Sequence, residues 1–71
     1  MYEVRCEMVN RFGAEFSWTF QIETDDYMIA FDDAIRTFWS GLTLSERADA
    51  RDTFRAYARP LHDELIEETN R

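Results

Sequence analysis

The sequence predicts an α+β fold: an N-terminal antiparallel β-hairpin packed on two to three helices. Three observations carry that expectation. Two stretches near the start alternate strictly between apolar and polar residues. A turn-forming Asn10-Arg11-Phe12-Gly13 lies between them. Everything after about residue 25 has helical spacing instead.

The first strand is expected at about 2–9. Tyr2, Val4, Cys6 and Met8 point one way, and Glu3, Arg5 and Glu7 the other, as in a strand with one buried face. The second, about 15–23, repeats the pattern. Phe16, Trp18, Phe20 and Ile22 alternate with Ser17, Thr19, Gln21 and Glu23. Gly13 supplies the positive φ that a tight connection needs. A two-stranded sheet is marginal alone, so the helices are expected to cover its aromatic face.

Thr24 or Asp25 is placed to cap a first helix, about 25–40, with Gly41 at its C-terminal stop. Tyr27, Phe31, Ala34, Ile35 and Phe38 form its apolar stripe. Met28, Ile29 and Trp39 lie partly off that stripe and, with Phe12 in the turn, exceed what so small a core can hold. Thr43-Leu44-Ser45-Glu46 matches a capping box and opens a second helix, about 44–58. Leu44, Ala48, Phe54, Ala58, Leu61 and Leu65 are read as its buried face. Pro60 cannot continue a helix, so a kink or break falls near Arg59, with a third segment at about 60–69. The order is β-β-α-α, the last helix bent or split, in one domain over 1–71.

At 71 residues the chain can bury only about 60% of its unfolded surface, so it depends on good packing or on association. One cysteine rules out an internal disulfide and a Cys-rich zinc site. The lone thiol, with no export signal and no apolar run near the ~18 residues of a membrane span, points to the cytoplasm and away from membranes. Fifteen acids against eight bases, a formal charge of −7, oppose direct nucleic-acid binding, which needs positive surface.

Catalytic chemistry finds little material. Cys6 falls on the inward strand face, where it acts as a small hydrophobe, and His62 is the single histidine. A metal site sketched from His62 with Asp63 or Glu67 is a weak signal on a solvated helix. The doublets Asp25-Asp26 and Asp32-Asp33 diverge by about 100° on a helix and serve capping and solubility. There is no phosphate loop, dinucleotide fingerprint or serine elbow. No enzyme activity and no cofactor are expected.

Two features stand above this background. All eight bases are arginine, and Arg47, Arg51, Arg55 and Arg59 recur every four residues, a basic stripe if the segment is one helix. The stripe is either a solvated face paired with hairpin acids or a docking strip for an acidic protein. The apolar excess of Phe12, Met28, Ile29 and Trp39 is either covered by the last helix or marks a docking surface.

The expected function is therefore a non-enzymatic protein-binding module. In size and style alone the chain is similar to small acidic proteins of phages and mobile elements, anti-CRISPR proteins among them, which implies an inhibitor or accessory role. The alternatives are a homodimer joined through the hairpin edge or the first helix, and an acidic nucleic-acid mimic. The mimic would align Asp25, Asp26, Asp32, Asp33, Asp63, Glu64, Glu67 and Glu68.

Overall fold

The computed structural model describes residues 1–61. The element order is β1 (Tyr2–Val9), β2 (Glu15–Ile22), α1 (Tyr27–Ser40), α2 (Leu44–Thr53) and β3 (Arg55–Pro60). The class is α+β with the expected hairpin, but the order is β-β-α-α-β, with two helices among the described residues. The three strands form one antiparallel sheet in the order β2-β1-β3.

The hairpin follows from its turn. Asn10 N–H donates to the Ala14 carbonyl (2.9 Å), and Asn10 Oδ1 accepts from Phe12 N–H and Ala14 N–H, both at 2.9 Å. Gly13 supplies the left-handed residue, with φ 86°. The register then runs without a bulge from Tyr2↔Ile22 to Val9↔Glu15. Tyr2, Val4, Cys6 and Met8 therefore share a face with Phe16, Trp18, Phe20 and Ile22, as the alternation requires.

Helix α1 begins at Asp26, rather than at Thr24 or Asp25. Asp26 Oδ1 accepts from Met28 N–H (2.9 Å) and Ile29 N–H (3.3 Å), while Thr24 Oγ1 accepts from Asp26 N–H. Ala30, Ala34 and Phe38 are buried against the sheet, and the two alanines let the helix approach β1 closely. Val4, Cys6, Met8 and Ala50 complete the buried core. Aromatic rings close both ends of α1. Tyr27 meets Tyr2 and Phe31 at 5.8 and 5.6 Å between centroids, and Phe54 meets Phe38 and Trp39 at 5.7 and 5.3 Å.

Helix α2 opens with the expected capping box. Thr43 Oγ1 accepts from Glu46 N–H (3.1 Å) and Glu46 Oε1 from Thr43 N–H (2.8 Å). The helix then ends at Thr53, not at 58. Its buried residue is Ala50, while Leu44 is 83% exposed and Ala48 is exposed, so the predicted apolar face is not the one used.

The expected break near Arg59 is replaced by a strand. β3 pairs with β1 from Glu7↔Arg55 to Tyr2↔Pro60. Leu61 N–H donates to the Met1 carbonyl (2.8 Å), which makes Met1 and Leu61 a hydrogen-bonded pair. By the alternation of an antiparallel ladder, the nitrogen of Pro60 then faces away from β1, where a missing N–H costs nothing. The predicted third segment at about 60–69 is overturned at Pro60, which is strand; its remainder, with Leu65, lies outside the described residues.

Candidate functional site

The site forms because the helices cover only part of the sheet. Helix α1 lies over β1 and touches both flanking strands. Helix α2 packs on β1 at the hairpin end. There Arg11 donates to Asp49 through its backbone N–H and its Nε, both at 3.0 Å. Among the described residues, the hairpin half of β2 is left beside the C-terminal end of α1 with no helix over it. Phe20 and Ile22 are half-buried, but Trp18 is 64% exposed and Phe16 38% exposed.

Between β2 and the end of α1 lies an open groove of about 650 Å³, lined by Phe16, Trp18, Phe20, Thr37, Phe38 and Leu42 among others. The strand beside it is the edge of the sheet. From Phe16 to Ile22 it reads Phe-Ser-Trp-Thr-Phe-Gln-Ile, with no charge, proline or glycine. Such an edge offers a row of unpaired N–H and C=O groups to another chain.

Among the described residues, the opposite face of the sheet has no helix packed on it and is charged. Glu3, Arg5 and Glu7 of β1 lie between Thr19 of β2 and Tyr57 and Arg59 of β3. Arg59 pairs with Glu3, and Arg5 with Glu7 at 3.4 Å. These pairs are solvated and contribute little each.

The residues singled out from the sequence fall in different places. Phe12, at the hairpin tip, is 86% exposed. Met28 and Ile29 are exposed on the first turn of α1, at the far end from the groove. Trp39 is half-buried against Phe54. The four arginines do not form one stripe: Arg47 and Arg51 lie on α2, Arg55 and Arg59 on β3. Arg47 Nε donates to the Trp39 carbonyl (3.2 Å), and Arg59 binds Glu3. Among the described residues, Arg51 and Arg55 form no ion pair. The acidic doublets are employed locally, since Asp26 caps α1 and Asp32 pairs with Arg36.

The alternation in β2 predicts that the helices cover Phe16 and Trp18, and both are instead exposed. Their exposure has a sequence signal: four large residues on one face of β2 need a broad cover, and α1 presents alanines to the sheet.

The chemistry of Cys6 is that of a core residue. Its side chain is fully buried, and burial pushes the thiol from its ordinary 9.0 up to about 11, so it stays protonated. His62, Asp63, Glu64, Glu67 and Glu68 lie outside the described residues, and with them the sketched metal site. Among the described residues no cluster of three metal-ligating side chains occurs, and no helix is long and apolar enough to cross a membrane.

Comparison with protein-family models, curated proteins and solved structures finds no match to this chain.

Proposed function

We propose that this protein is a non-enzymatic protein-binding module whose docking surface is the edge of β2 and the adjoining aromatic groove. The observation that carries the reading is Trp18. A tryptophan left mostly in water, in an edge strand that carries no charge from Phe16 to Ile22 and beside a groove, combines an anchor residue with open backbone hydrogen-bonding groups. The buried, protonated thiol of Cys6 supports the non-enzymatic part. An inhibitory or accessory role is the form of this reading that size and acidic character support.

The test compares variants in one capture experiment. Tagged wild-type protein, Trp18→Arg and Arg51→Ala are each used to retain partners. A stoichiometric partner held by wild type and Arg51→Ala but lost with Trp18→Arg supports the β2 surface. A partner kept by Trp18→Arg and lost with Arg51→Ala moves the docking surface to α2 and overturns the assignment.

A further inference from the structure

We infer that the occupant of the β2 edge is a second copy of this chain, paired antiparallel about a two-fold axis through Trp18, giving a continuous six-stranded sheet. The inference rests on the docking surface proposed above and names its partner.

The direction of the backbone groups comes first. The Asn10 N–H donates to the Ala14 carbonyl across the hairpin end, so the backbone groups of these two facing residues turn inward. With an unbroken register, Phe16, Trp18, Phe20 and Ile22 then turn their N–H and C=O groups toward β1. Those of Glu15, Ser17, Thr19 and Gln21 point off the sheet, unpaired among the described strands.

The strand is its own complement. An axis through Trp18 sets Trp18 opposite Trp18 of the second copy, and Phe16 opposite its Phe20. On the other face Ser17 meets Thr19, and Glu15 meets Gln21. Side chains that face the helices meet only others that do so, and no like charges are opposed. Moving the axis to Thr19 would set Glu15 against Glu23 of the second copy. The register through Trp18 is therefore preferred.

The helix layer fits the same assembly. Strands lie about 4.8 Å apart, so β1 of one copy would be three spacings, about 14 Å, from β1 of the other. The two α1 helices above them would be similarly separated, wider than the 8–10 Å of directly packed helices. Phe16, Trp18 and Phe20 of both copies are placed to fill that gap.

The other edge carries the features that prevent pairing. β3 has six residues, ends in Pro60, and bears Arg55 and Arg59, whereas β2 has eight residues, no proline and a single charge, Glu15, at its start. The salt response also has a defined sign. Each copy carries −7 while the strip from Phe16 to Ile22 is neutral, so screening favours the pair.

The experiment is sedimentation equilibrium of the full chain from about 1 to 500 μM, a range covering micromolar to near-millimolar dissociation constants. The expected result is a mass rising from 8.5 kDa toward twice that value, with a lower midpoint at higher salt. Thr19→Pro removes a central outward N–H and should raise the midpoint at least about tenfold while keeping the monomer's circular dichroism. Trp18→Arg, at a side chain already solvated in the monomer, provides the same readout if the proline variant misfolds. A mass of 8.5 kDa throughout, or a dimer unaffected by both substitutions, overturns the inference. If wild type stays monomeric yet Trp18→Arg loses a different captured protein, the docking surface stands and the second copy does not. If neither association responds to Trp18, the docking surface falls as well.

Discussion

The hydroxyl of Thr53 takes the place of a strand partner for Val9. It accepts from Val9 N–H at 3.0 Å and donates to the Val9 carbonyl at 2.9 Å, with the Asp49 carbonyl as a second acceptor at 3.1 Å. Val9 is the last residue of β1, and Thr53 occupies the position at which the β3 register would continue past Arg55. One side chain thus ends α2 and completes the ladder of β1.

Thr53→Val keeps the shape and removes both bonds. It leaves the Val9 N–H and C=O without their partner and is expected to cost about 1–3 kcal/mol. Thr53→Ser restores the hydroxyl and should recover most of the loss. Urea unfolding of the three proteins checks the order.

The Arg11–Asp49 clasp ties the hairpin tip to α2 through a backbone and a side-chain donor on one carboxylate. Asp49→Ala removes both acceptors and should cost about 1–2 kcal/mol, with faster exchange of the Arg11 amide. Arg11→Ala keeps the backbone bond. Because the guanidinium is half-exposed, this change should cost under about 1 kcal/mol.

Cys6 makes stability fall in alkaline solution. Its thiol ionises near 9.0 when unfolded and near 11 when buried, so the native state keeps its proton where the unfolded chain has lost it. The contribution is fully present below pH 9.0 and is lost as pH rises to about 11, up to about 2–3 kcal/mol. Cys6→Ala should lower stability at pH 7 and abolish this part of the alkaline slope. Chemical denaturation between pH 7 and 11 measures both effects.

Ala34 lies fully buried between α1 and β1. Ala34→Leu forces the helix off the sheet and should cost about 1–3 kcal/mol or more. Ala48→Leu, on the exposed face of α2, should change stability by less than about 0.5 kcal/mol. Thermal unfolding separates the pair.

The hairpin and the start of α2 were legible because their signals are local, and the start of α1 was legible to within one or two residues, Asp26 taking the cap in place of Thr24 or Asp25. Strict alternation fixes which side chains share a face, Asn10 and Gly13 close the turn, and Thr43 and Glu46 cap each other within three residues. The segment from Arg55 to Ala58 reads as the end of a helix, with a break near Arg59, for an equally local reason. Alanine and arginine are strong helix formers, and the four-residue arginine spacing continues the pattern of α2. The same residues also alternate, with Ala56 and Ala58 turned toward the core and Arg55, Tyr57 and Arg59 toward solvent. Nothing nearby in sequence separates the two periods. The candidate site was legible only in its parts: the edge strand and its aromatic face could be read, but not which aromatics the helices would leave uncovered.

The amino-acid sequence by itself determined the hairpin, which side chains share its faces, and the start of α2, because each follows from neighbours in the chain. The tertiary structure alone decided that Arg55–Pro60 is a strand. Its pairing is with Glu3, Arg5 and Glu7, about fifty residues away, whose backbone groups on that side of β1 need partners once Val4 and Cys6 are buried. The same closure placed α1 over β1 and α2 at the hairpin end, leaving the β2 edge and Trp18 open: coverage is set by how two helices share three strands, a relation that no local pattern encodes.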